Sequence, residues 1–231
     1  MITGQTIALA LAVPRVVALP ADERAHAQAE AIVATIEARI LASSSATATL
    51  ADWCRAQGLA ADPTITAEWD NKVQVAPSPD QRARLGIGPD DPVAYRRVRL
   101  VCGSLVLSVA ENWYVPGRLD PAMVQTLLTT NTPFGKVIEP LRPERRTIAN
   151  ERLWHPVPVV RDGVASTGAA PCEVIPDALF RHQVLVLDGN GRPLAEVIET
   201  YQRDLIAFGV PWAARSIRQC RDANGASGPE R

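Results

Sequence analysis

Val93-Ala94-Tyr95-Arg96-Arg97-Val98-Arg99-Leu100-Val101-Cys102-Gly103-Ser104-Leu105-Val106-Leu107-Ser108-Val109-Ala110-Glu111-Asn112-Trp113-Tyr114-Val115 is the stretch from which the fold is read. Two runs rich in β-branched and aromatic residues flank Cys102-Gly103-Ser104, and a short glycine-containing break between such runs predicts a β-hairpin. A second hairpin is predicted where Asp188-Gly189-Asn190-Gly191 joins Gln183–Leu187 to Leu194–Tyr201, because these residues tolerate the backbone angles that tight turns need. Alternate side chains on a strand share a face. Arg97 and Arg99 therefore project together and Arg96 oppositely, while Glu199 goes with Ala195, Val197 and Tyr201, and Glu196 with Leu194 and Ile198.

Outward from the hairpins, Glu23 to Leu41 carries Ile32, Val33, Ile36, Ile40 and Leu41 at helical spacing, which predicts an amphipathic helix with His26 on its polar side. Thr49 is a candidate cap for a short second helix with Leu50, Trp53 and Cys54, ended by Gly58. Thr64 to Val75 shows partial strand alternation, and the Pro-, Gly- and charge-rich Pro77 to Asp91 reads as a solvated connection. Asp120 and Pro121 form a cap and first-turn pair for a helix carrying Val124, Leu127 and Leu128. Thr132-Pro133 repeats that signal. Val157 to Pro176 lacks a sustained period and reads as a long loop or lid over the sheet. The organisation expected is an N-terminal segment (1–22), one domain (23–215) and a polar tail (216–231). No internal repeat or heptad pattern is present.

With 231 residues and 47% hydrophobic content, the chain can bury one substantial core. Its 24 Lys and Arg balance 25 Asp and Glu, so no overall field recruits nucleic acid or an anionic membrane, and any anion site must be local. No segment reaches the roughly 18 uninterrupted apolar residues of a membrane span. Ile7 to Val13 is apolar, but no basic residue precedes it and Pro14-Arg15 interrupts it. A cytoplasmic location is expected, with export through an N-terminal signal peptide as the alternative. Cys54, Cys102, Cys172 and Cys220 lack Cys-x-x-Cys or histidine-ligand spacing, so no metal site is expected; isolated buried thiols are favoured, with two disulfides compatible if the protein is exported.

Three features carry candidate chemistry. An arginine inside the sheet offers a planar fork that can hold a carboxylate through two parallel hydrogen bonds, although arginines on a strand more often line a solvated face. A glutamate beside apolar neighbours can hold a raised pKa and move a proton, or simply pair with an adjacent strand. Thr132-Pro133-Phe134-Gly135 joins a capping residue, a first-turn proline and a glycine that lets backbone approach closely. This stretch is either a structural helix start or a place where free amides meet an anion. His155 and His182 are isolated and read as satisfied or partly exposed, and Trp53, Trp69, Trp113, Trp154 and Trp212 read as packing. Gly86-Ile87-Gly88 lacks the rest of a dinucleotide fingerprint and no Gly-x-Ser-x-Gly elbow occurs, so nucleotide enzymes and serine hydrolases rank low.

The order of these parts, an arginine strand, a long strand ending in Tyr114-Val115-Pro116, a helix, Thr132-Pro133-Phe134-Gly135 and a glutamate strand, resembles the chorismate pyruvate-lyase family. That fold is shared with the ligand-sensing domain of GntR-type transcription regulators. The resemblance implies an α+β fold, a mostly antiparallel sheet of about six strands with helices packed on one side. It implies cofactor-free conversion of chorismate to 4-hydroxybenzoate and pyruvate, as in ubiquinone biosynthesis, or binding of an aromatic carboxylate without chemistry. Arg97 would hold the ring carboxylate, Glu199 would act on the hydroxyl end or as acid and base, and Phe134, Gly135, Asn112 and Arg146 would line the pocket. Arg142 and Arg145 look like surface charge. Two departures stand out. Asn112 replaces a second pocket arginine, and Glu199 lies one residue further from Pro193 than the family pattern, which keeps Glu196 as a substitute.

Overall fold

Both hairpins form where the turn residues place them. In the computed structural model, which describes residues 18–19, 23–70, 72–156, 173–206 and 208, β3 (Ala94–Cys102) turns through Gly103-Ser104 into β4 (Leu105–Tyr114). Gly103 has φ +58°, and a Cβ there would lie 2.8 Å from the Cβ of Ala60, so turn geometry and packing both demand glycine. The second hairpin joins β7 (Ala178–Leu187) to β8 (Pro193–Gln202). With β2 (Ile65–Asp70) and β5 (Glu144–Arg152) they make a six-stranded antiparallel sheet of order β2-β3-β4-β8-β7-β5. A two-residue pairing of β1 (Ala18–Leu19) with β6 (Glu173–Val174) stands apart, and Leu19 is fully buried.

The chain leaves the sheet centre after β4, crosses through α4 (Pro121–Thr129) and the single turn α5 (Phe134–Val137), builds the far edge, and returns to set β8 beside β4. That detour lays the Phe134 turn over the seam between the arginine hairpin and the glutamate hairpin. On this front face α1 (Glu23–Leu41) and α2 (Ala46–Ala56) bury Val33, Ile36, Ile40, Leu50 and Trp53 against Val98, Leu100, Ala110, Val184 and Val197. Each such fully buried aliphatic side chain contributes about 1.5–3 kcal/mol. The architecture is α+β.

Several local expectations are corrected. The second helix starts at Ser45, whose hydroxyl accepts from the Ala48 amide; Thr49 lies inside it and donates back to the Ser45 carbonyl. Pro77 to Asp91 is not only a connection. Ser78 and Gln81 form a reciprocal capping box around α3 (Pro79–Leu85), and Gly86 ends it in the left-handed conformation. This short helix packs Leu85 on the back face of the sheet with Val115, Leu185 and Leu187. Pro133, rather than Thr132, is the N-cap of α5, without a side-chain cap. His26 is buried, because the Ala25-His26-Ala29 side of α1 faces the core.

Cys54 and Cys102 form a disulfide with Cα atoms 6.4 Å apart, correcting the expectation of isolated thiols for this pair; nothing in the spacing of two residues 48 apart could reveal it. Closing a loop of that length stabilises the fold by about 4 kcal/mol in the chain-entropy picture. Cys172, Cys220 and Trp212, the apolar run 7–13, nearly all of the predicted lid and the C-terminal tail lie outside the described residues. Among the described residues no helix is long and apolar enough to cross a membrane, and no group of His, Cys, Asp and Glu could hold a metal ion.

Candidate functional site

A cavity of about 40 Å³ lies between the front face and the Phe134 turn. Its walls are mainly apolar, from Val98, Leu100, Ala110, Ile138, Val186 and Val197, with Asn112 as a polar member; its floor is charged, from Arg145 and Glu199. Arg145 Nη2 donates to Glu199 Oε2 at 2.6 Å and Nη1 to Oε1 at 3.2 Å, and both side chains are about nine-tenths buried. Tyr201 donates to the same Oε2 at 2.8 Å. The pair forms because β5 and β8 both border β7: Arg145 lies opposite Val186 and Glu199 opposite His182, so the long guanidinium arm reaches diagonally over β7.

Burial pushes the Glu199 carboxyl up, but the charge and hydrogen bonds of Arg145, the Tyr201 hydroxyl and His182 more than offset it, and the group stays below the usual carboxylate range. Glu199 is held ionised. Burial acts against the Arg145 charge, and Glu199 overcomes that to push it up; burial beside Glu199 drives the Tyr201 hydroxyl well above its ordinary value. His182, fully buried between Phe180 and Tyr201, is pushed down by burial, partly countered by Glu199 and Glu37. Neither of its ring nitrogens finds a hydrogen bond among the described residues; Glu37 Oε1, at 3.7 Å from Nε2, is too far for one. The expectation of a satisfied or partly exposed histidine therefore fails here.

Of the residues singled out from the sequence, Glu199, Asn112, Phe134 and Gly135 line this one cavity. Asn112 is buried and donates from Nδ2 to the Arg96 carbonyl at 3.1 Å. Gly135 packs so closely that a Cβ would lie 3.1 Å from Thr47 Oγ1. Arg97 and Arg146 are not brought there. Arg97 projects from the back face, 39% exposed, toward Asp70 at 3.6 Å, and Arg146 is exposed on β5. The reason is strand parity. Val98 and Leu100 must face the core, and Arg96 shares their parity, so Arg96 turns inward and is 2% exposed. Its guanidinium donates to the carbonyls of Thr130 and Thr132 at 3.1 and 3.2 Å, which pins the turn that carries Phe134. Glu196 faces the back of the sheet, where Arg84 grips it at 2.7 and 2.9 Å and Gln183 donates at 2.7 Å.

Arg145 was the residue the sequence concealed. Its strand is a solvated edge with no apolar alternation, so Arg145 read as surface charge. Ser45 and Thr47, which line the cavity mouth, were equally hidden at the cap and first turn of α2. Beyond that mouth, a groove of about 750 Å³ shares Ser44, Ser45, Thr47, Gly135 and Pro143 with the cavity. Its far walls come from Ala48, Ala51, Pro63, Ile65 and Pro133, and its rim carries Arg55, Lys136 and Arg142 with Asp52 and Glu139.

No family model matches the chain. Among solved structures it is similar to the effector domain of PhnF from Mycobacterium smegmatis, with TM-score 0.43 and 13% identity over 69% of this chain and 89% of that one. It is similar also to a GntR-family transcriptional regulator from Enterococcus faecalis V583, with TM-score 0.34 and 11% identity over 56% and 87%. A third is the possible transcriptional regulator YydK from Bacillus subtilis subsp. subtilis str. 168, with TM-score 0.36 and 14% identity over 61% of this chain; the match spans only 59% of YydK. All three scores are low, and the site stands on its own geometry. In sequence, 198 residues are 35% identical to the uncharacterized protein y4mC of Sinorhizobium fredii (strain NBRC 101917 / NGR234), covering 83% of this chain and 82% of that one. The chain belongs to the family of y4mC.

Proposed function

We propose that this protein binds a small aromatic hydroxy-carboxylate, with the carboxylate taken by Arg145 and the hydroxyl by Glu199. The observation that carries this reading is the buried ion pair on the floor of a cavity whose walls are mainly apolar, with Asn112, Ser45 and Thr47 among its other polar lining. Taking two charges out of water costs several kcal/mol per ion, and an apolar pair of similar volume would serve packing as well or better. A few polar groups converging at the end of an apolar concavity are also the usual form of a small-molecule site. Glu199 takes two of the five Arg145 N–H donors and the Tyr201 hydroxyl also lies against the guanidinium, so the fork has more donors than Glu199 uses.

Binding without chemistry is favoured over lyase activity by the ionisation of Glu199. A general acid or base works best with a pKa near the working pH, and this carboxyl is held in the opposite direction. The lyase reading keeps one supporting observation, the convergence of Asn112, Phe134, Gly135 and Glu199 on a single cavity in the order the resemblance expects. One experiment addresses both. Calorimetric titration with 4-hydroxybenzoate should give saturable binding, and incubation with chorismate should give no pyruvate above a heat-killed control. Absence of any carboxylate binding by folded protein would refute the proposal; stoichiometric 4-hydroxybenzoate and pyruvate would promote the lyase.

A further inference from the structure

We propose that the ligand's carboxylate and hydroxyl sit on adjacent carbons, as in 2-hydroxybenzoate, and that its ring or chain lies outside the cavity in the groove beyond Thr47 and Gly135. This inference rests on the reading that the cavity takes a carboxylate, and it fixes which kind.

The first support is the geometry of the floor. Arg145 and Glu199 touch one another at 2.6 and 3.2 Å, so the donors and the acceptor offered to a ligand are neighbours. A ligand that uses both must carry its own acceptor and donor side by side. A 4-hydroxybenzoate holds them at opposite ends of a rigid ring and can satisfy one at a time, whereas a hydroxyl on the carbon next to the carboxylate-bearing carbon reaches Glu199 while the carboxylate reaches Arg145. Glu199 Oε1 has the spare capacity: among the described residues it accepts only the longer Arg145 contact, while Oε2 already takes both Arg145 and Tyr201. The Asn112 amide oxygen, on the same cavity wall, accepts from no described residue and offers a second place for the hydroxyl proton.

The second support is size. A cavity of about 40 Å³ has room for a few water molecules, hence for a carboxylate and a hydroxyl, and not for a benzene ring with them. The groove of about 750 Å³ continues from the same mouth and offers Ala48, Ala51, Ile65, Pro133 and Pro143 as apolar surface. Polar head inward and apolar body outward is the arrangement the two volumes permit.

Titration of the wild-type protein with 2-hydroxybenzoate, 4-hydroxybenzoate and benzamide tests the proposal. At least tenfold tighter binding of the 2-hydroxy isomer than of the 4-hydroxy isomer is expected. Equal affinities, or preference for the 4-hydroxy isomer, overturn the adjacency while leaving carboxylate binding intact. If neither carboxylate binds, both the inference and the underlying reading fall, and saturable binding of benzamide in that case shows that the floor takes a neutral head. Placement of the ring is tested by Thr47→Trp, which fills the mouth from the groove side. It should weaken 2-hydroxybenzoate at least tenfold with the fold intact by circular dichroism, and unchanged affinity refutes the groove. The isomer comparison does not depend on that variant folding.

Discussion

Strand β8 carries two buried glutamates on opposite faces, each gripped by an arginine through two hydrogen bonds, and only one of them belongs to a candidate site. On the back face Glu196 is closed off: Arg84 comes down from α3, Gln183 adds a third donor, and Leu85 packs beside Leu185. On the front face Glu199 and Arg145 border open volume. The chemical pair is the same, so a buried ion pair alone does not mark function. What distinguishes the two is unspent hydrogen-bonding capacity next to space. The back pair fastens a helix to the sheet; the front pair waits on a cavity.

That contrast separates the two arginines under substitution. We predict that Arg145→Met, which strands an ionised carboxylate in the core, destabilises the fold by about 3–5 kcal/mol in urea titration and abolishes carboxylate binding. Arg84→Met should cost less, about 2–3 kcal/mol, because Arg84 is partly exposed and Gln183 remains on Glu196. Its ligand affinity should stay within about twofold of wild type. Loss of binding in Arg84→Met with the cavity intact would break the division between the faces.

How far this contrast could be read from the chain depends on which signal each residue obeys. Both hairpins were legible because turn chemistry is local: Gly103 and the Asp188-Gly189-Asn190-Gly191 run specify their turns without reference to the rest of the fold. The cavity membership of Asn112, Phe134, Gly135 and Glu199 was legible too, through the order of motifs along the chain. Arg96 was misread although the information was present. The parity of Val98 and Leu100 decides which arginine turns inward, and it should have outweighed the family position assigned to Arg97. The capping box around Ser78 and Gln81 was likewise written in the sequence and hidden by its Pro- and charge-rich surroundings. Arg145 was not legible. A solvated edge strand has no apolar alternation to reveal it, and its partner is reached diagonally over β7, which only the assembled sheet specifies.

The front face should also be the pH-sensitive one. His182 is held below its ordinary pKa, so the unfolded chain takes up a proton that the folded protein resists. Its contribution is full above the unfolded value of about 6.5 and declines as pH falls below it, by up to about 1.4 kcal/mol per pH unit until the folded group itself titrates. Glu199, depressed in the fold, adds its own loss at lower pH, once the solution falls below the ordinary carboxylate range. The charged groups around His182 are Glu199, Glu37 and Arg145. We predict that His182→Gln flattens the stability profile between about pH 6.5 and 5, measured by urea titration, and that Arg84→Met does not. An unchanged slope in His182→Gln would remove the histidine from the account. The smallest effect belongs to Arg97. Its partner Asp70 is as exposed as it is, so Arg97→Ala should cost under about 1 kcal/mol and leave ligand affinity unchanged.

The central claim, that the front pair is a ligand site and the back pair a fastening, is tested most directly by calorimetric titration of 2-hydroxybenzoate into wild type, Arg145→Met and Arg84→Met under one buffer. Saturable heats in wild type and Arg84→Met, with none in a folded Arg145→Met, are the predicted result. Equal affinity in all three variants, or no binding by the wild type, would contradict it.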